Sequence, residues 1–88
     1  MTSQYVEALP LEVTRQGVLE ATFNDYSEQS CLLRECLPTS ADPESVWLGV
    51  EFDSSGNYVR SGMRLTRTQV AQLLPHLIKF AESGKLGE

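Results

Sequence analysis

Apolar and polar residues alternate with a period of two through most of the chain up to Leu65, and that alternation predicts strands. After Pro10, Leu11 and Val13 alternate with Glu12 and Thr14. Arg15, Gln16 and Gly17 then offer a turn, with Gly17 free to take positive φ. Over 18–24, Leu19, Ala21 and Phe23 share one face, and Val18, Glu20 and Thr22 the other. Asn24, Asp25, Tyr26, Ser27 and Glu28 are turn chemistry, because Asn and Asp side chains bond the backbone two residues on. The returning strand covers 30–37, with Cys31, Leu33 and Leu37 opposite Leu32 and Arg34. A loop carrying Pro38 and Pro43 leads to Glu44. The strand over 45–52 sets Val46, Leu48, Val50 and Phe52 against Trp47, Gly49 and Glu51. Asp53, Ser54, Ser55, Gly56 and Asn57 form the strongest turn signal. A last strand takes in 58–60 and 63–65, with a bulge or break expected at Ser61-Gly62.

The period then changes to that of a helix over about 67–82. Thr66 and Gln69 match a capping box, with Leu65 and Val70 as the flanking staple. Val70, Leu73, Leu74, Leu77, Ile78 and Ala81 form one apolar stripe, and Gln69, Gln72, His76, Lys79 and Glu82 the opposite side. Gly84 is placed to end the helix in the left-handed conformation. Pro75 removes an interior hydrogen bond and clashes with the carbonyl of Ala71, at a cost of about 3 kcal/mol. The stripe crosses it in register, which predicts one kinked helix. The expected fold is α+β: an antiparallel sheet of three to five strands packed by one C-terminal kinked helix.

The 88 residues allow a single domain over 1–88, with 1–9 weakly patterned and expected to fray. A hydrophobic fraction of 41% and a charged fraction of 22% are those of a globular chain. No apolar run approaches the ~18 residues of a membrane span. The start, Met1 to Tyr5, has neither basic residues nor an apolar run, which predicts no secretory leader. A chain this small buries about 60–65% of its unfolded surface, so a homodimer or higher assembly is expected. Trp47, pointing away from the main apolar face, suits packing under a loop or an interface.

Charge narrows the partners. Twelve acids against seven bases leave a net −5, which argues against direct nucleic-acid binding. The imbalance is local: residues 1–53 carry ten acids and two bases, net −8, and residues 54–88 two acids and five bases, net +3. Complementation between sheet and helix explains this without any ligand. Two binding surfaces explain it as well. One is an acidic sheet face bearing Glu20, Glu35, Glu51 and Asp53, with Trp47 as its apolar anchor. The other is an anion site at the helix start, from Arg60, Arg64 and Arg67 with the hydroxyls of Thr66 and Thr68.

Catalytic chemistry has little to draw on. His76 is the one histidine and falls on the polar side of the helix; no catalytic or phosphate-loop motif occurs. Cys31 and Cys36 are five residues apart on a strand, hence ~16 Å apart and on opposite faces. A disulfide needs Cα atoms within ~7 Å, so reduced thiols and a cytosolic setting are expected. Neither a metal site nor a cofactor is expected, nor an enzyme.

Several stretches occur together in a set order. Phe23-x-Asp25-Tyr26 leads to Cys31-x-Leu33, then Val46-Trp47-Leu48-Gly49 and Met63-Arg64-Leu65-Thr66. Val70-Ala71-x-Leu73-Leu74-Pro75-x-Leu77-x-x-Phe80 follows, with Gly84-x-Leu86 behind it. This resembles a group of short proteins encoded by bacteriophages and prophages, over roughly residues 21–86. The Leu-Leu-Pro-x-Leu-x-x-Phe segment is the most specific part. Gly62 and Arg64 stand where the group has an arginine and a histidine beside the methionine, and Leu37-Pro38-Thr39-Ser40 replaces a serine pair. The resemblance brings no catalytic residues. It implies a small accessory protein in the host cytoplasm. The function expected is binding and inhibition of a host defence component through the acidic sheet face, anti-CRISPR activity being the leading specific form. The alternative is an oligomeric sponge that sequesters a phosphorylated signalling nucleotide at the arginine-bearing helix end. A host defence protein or complex, and no membrane, is the expected partner.

Overall fold

Turns of a few residues force consecutive strands to pair antiparallel. The computed structural model, which describes residues 7–37 and 44–87, shows the meander that results. Its elements are β1 (Glu12–Val13), β2 (Leu19–Asn24), β3 (Ser30–Glu35), β4 (Ser45–Phe52), β5 (Tyr58–Thr66) and α1 (Arg67–Ser83). The strands lie side by side in chain order. The fold is α+β as expected, with a five-stranded antiparallel sheet and one C-terminal helix. The expected loop over 38–43 and the fraying over 1–6 lie outside the described residues.

One turn design is used three times. At each tight hairpin a first residue's N–H donates to the carbonyl of the fifth, and the fourth's N–H donates back to the first. The pairs are Thr14 with Val18 and Gly17, Asp25 with Gln29 and Glu28, and Asp53 with Asn57 and Gly56, at 2.8–3.1 Å. This is the three-residue hairpin loop, whose fourth residue must be left-handed. Gly17, Glu28 and Gly56 take φ of 85°, 66° and 88° there. The aspartates stiffen two of the turns. Asp25 Oδ1 accepts from the N–H groups of Ser27 and Gln29 at 2.8 and 2.9 Å. Asp53 Oδ1 accepts from Ser55 and Asn57, both at 2.9 Å.

Register separates two faces. Ala21, Leu33, Leu48 and Met63 form one row across the strands, and Phe23, Cys31, Val50 and Ser61 the next. This apolar face is incompletely covered: Ala21 and Cys31 are buried, but Leu33 is 37% and Met63 54% exposed. The opposite face carries a polar row through all five strands, Glu12–Glu20–Arg34–Trp47–Arg64. The expected bulge at Ser61-Gly62 is displaced. Gly62 pairs regularly with Gly49, and the extra residues are Val59 and Arg60, which together oppose Glu51. Arg60 is left-handed, with φ of 41°, so the bulge turns on an arginine where the sequence pointed to the glycine.

The helix begins and ends as its sequence dictates. Thr66 Oγ1 accepts from Gln69 N–H at 3.2 Å, and Gln69 Oε1 accepts from Thr66 N–H at 2.9 Å. Gly84 closes it with φ of 79° and an N–H bond to the Phe80 carbonyl at 2.7 Å. The helix is continuous through Pro75. Its first turns meet the sheet, where Val70, Ala71 and Leu74 line a 700 Å³ groove with Val18, Val46 and Leu65. Farther along, Leu73, Leu77, Ile78 and Phe80 are 43–55% exposed.

Replacing Thr66 with alanine removes one of the two reciprocal cap bonds. The expected loss is about 0.5–2 kcal/mol, measurable as a lower denaturant midpoint with unchanged slope.

Acid should weaken the hairpins. Bonds from the backbone, Gln29 first for Asp25 and Asn57 first for Asp53, hold both carboxyls below their ordinary 3.8. The native state therefore binds fewer protons than the unfolded chain. The stability these groups contribute is complete above that value and disappears as pH falls through the depressed native pKa values. Chemical unfolding between roughly pH 5 and pH 2 should show this decline, and Asp25→Asn with Asp53→Asn should flatten it.

Candidate functional site

Trp47 projects from β4 onto the polar face, where, among the described residues, no helix lies above it. Gly62 makes room for it. Gly49 and Gly62 face each other across β4 and β5, and a Cβ on Gly62 would strike the Trp47 ring at 2.5 Å. The indole therefore sits against the bare backbone of Gly62. Leu32, the cross-strand partner of Gly49, is 3% exposed. Arg60 closes the stack, its guanidinium 5.8 Å from the indole centroid, within cation–π range. The left-handed backbone at Arg60 costs roughly 1–2 kcal/mol and sets the side chain over the ring.

Charged groups surround the stack. Arg34 Nε donates to Glu20 at 2.8 Å, and its Nη2 lies 4.0 Å from Glu51. Arg64 Nε donates to the hydroxyl of buried Ser45 at 2.9 Å. Trp47, Tyr58, Arg60, Arg64, Arg34 and Leu32 line a 440 Å³ hollow on this face.

The expected acidic surface is divided by the fold. Glu51 and Glu35 line the hollow with Trp47, and Glu20 adjoins it through Arg34, so the face is of mixed charge. Glu35 sits at the edge of β3 where it also lines the groove beneath the helix, and its carboxylate accepts from Leu19 N–H at 2.8 Å. Asp53 is taken up by its turn. The expected anion site is divided too. Arg60 and Arg64 line the hollow, whereas Arg67 turns to Glu44 at 3.0 Å. The Thr66 hydroxyl and the Gln69 N–H satisfy each other, and Thr68 follows on the exposed first turn. Tyr58, Arg34 and the glycine pair were not singled out from sequence. The signal for them was register, since both glycines occupy Trp47's face once β4 and β5 are aligned.

Cys31 is buried, its thiol donating to the Gln29 carbonyl at 3.4 Å. Loss of solvent, then the Asp25 charge, pushes its pKa up, so it is a poor nucleophile. Among the described residues, no three His, Cys, Asp or Glu side chains cluster as metal ligands do, and no helix is long and apolar enough to cross a membrane. Comparison of the chain with protein-family models, curated proteins and solved structures gives no match.

Gly62→Ala tests the stack. The new methyl meets the Trp47 ring at 2.5 Å and backbone atoms of Leu48 and Gly49 at 2.7 and 2.8 Å. A loss of about 1–3 kcal/mol is expected, with a red shift in emission from the one tryptophan as its ring is displaced.

Proposed function

We propose that this chain acts by protein contact, as a small phage-type accessory protein that binds and inhibits a host defence component in the host cytoplasm. Anti-CRISPR activity is the leading specific form, and a homodimer or higher assembly the working state. The observation that carries a binding role is the Trp47–Arg60 stack on a sheet face that no helix covers among the described residues. Tryptophan, tyrosine and arginine dominate the energetics of protein interfaces, and Trp47, Tyr58, Arg60 and Arg64 share one hollow here. The stack is formed before any partner arrives, so little side-chain freedom is lost on contact. The defence setting rests on the resemblance to phage-encoded proteins. The nucleotide-sponge reading keeps Arg60 and Arg64 but is weakened where Arg67 and Thr66 are engaged elsewhere.

Expression of the chain in a host whose CRISPR system targets a test phage should restore plaque formation. Trp47→Ala should abolish the protection, since truncating an interface tryptophan costs about 2 kcal/mol or more, roughly thirtyfold in affinity. Absence of protection by a folded wild type against CRISPR and other nuclease defences would remove the inhibitor reading. Retention of a cyclic dinucleotide by wild type, lost in Arg60→Ala, would favour the sponge instead.

A further inference from the structure

The chain leaves two apolar surfaces facing the same space. One is the helix stripe, with Leu73, Leu74, Leu77 and Ile78 43–55% exposed. The other is the sheet face around Leu33 and Met63, 37% and 54% exposed. The 700 Å³ groove between helix and sheet joins them through Val46, Leu65, Val70 and Leu74. The geometry points to a second copy of this chain as the occupant: each helix lays its stripe in the partner's groove, against the partner's apolar sheet face. This inference rests on the self-association proposed above and assigns its surface.

Area supports it. The chain exposes 7145 Å², whereas a compact monomer of its 9.8 kDa exposes about 5,200 Å². The excess, about 1,900 Å², is of the size that each subunit of an obligate dimer buries. Extension agrees: the radius of gyration is 14.7 Å, against about 12 Å for a compact chain of this length. Length supports it as well. The 17 residues of α1 make a helix of about 25 Å, and five strands make a sheet about 20 Å wide. A two-fold axis uses each surface once, so the assembly closes at two copies.

Sedimentation equilibrium across micromolar concentrations, with methionine footprinting by hydrogen peroxide, tests this. Wild type should sediment at twice 9.8 kDa, and Met63 should oxidise slowly at high concentration and readily on dilution. Leu77→Glu on the helix and Met63→Glu on the sheet should each raise the dimer dissociation constant at least roughly tenfold. Lys79→Glu, on the helix's polar side, should leave it unchanged. A dimer that survives both Leu77→Glu and Met63→Glu overturns this surface while self-association stands. A 9.8 kDa monomer whose Met63 reacts equally at every concentration overturns both. A monomer whose stripe binds phosphatidylglycerol vesicles does the same, giving the face to lipid. If Leu77→Glu fails to fold by circular dichroism, the concentration dependence of Met63 oxidation in wild type decides.

Discussion

A single sheet has two faces, and one helix of 17 residues covers at most one of them. That shortage of covering material governs the molecule. On the polar face the chain answers it locally, by folding its largest side chain down onto the sheet. On the apolar face α1 leaves β5 through the Thr66 cap and meets the sheet with its first turns, so the stripe beyond Leu74 finds no partner among the described residues. Among the described residues the buried apolar set is Ala21, Cys31 and Leu32, too little for a conventional core.

The polar face shows how a small sheet makes a rigid feature without a second layer. An indole can approach a strand closely only where no Cβ stands in its way, and Gly62 supplies that bare patch. Glycine in a strand weakens it, because it contributes no side-chain packing and loses more backbone entropy. Trp47 offsets that by packing against Gly62. Arg60 then caps the ring from a strained backbone that a regular ladder would not give. Strain and glycine costs thus fall on the same few residues, as they do where a site is held in one geometry.

Much of this was legible in sequence because the signals were local. Alternation placed every strand, and the capping box and Gly84 fixed both helix ends within a residue. The three hairpins were seen as turns, though not as one repeated design, because Thr14, Asp25 and Asp53 act through backbone geometry that residue type alone does not reveal. The site was less legible, because it depends on register. Glu20 and Glu35 are both acids on facing strands, yet alternation and pairing send one to Arg34 and the other to the Leu19 amide. Arg60, Arg64 and Arg67 are close in sequence, but the bulge, the strand and the helix start aim them differently. Gly62 invited a bulge on its own account; its purpose is the ring above it, which only the alignment with Gly49 discloses.

The two faces suit two different partners, and that division has a consequence for binding. In the proposed dimer the apolar faces turn inward and the Trp47 faces turn outward, one on each side of the two-fold axis. Dimerisation then leaves the hollow around Trp47 and Arg60 untouched and doubles it. Two identical hollows on a rigid body engage a repeated or multisubunit target with an effective concentration set by their spacing, so overall affinity exceeds that of either hollow without any new contact. A face of mixed charge fits that role better than a wholly acidic one. Arg34 between Glu20 and Glu51 fixes a pattern of alternating sign, which discriminates among partners by register, whereas a uniform charge attracts any basic surface.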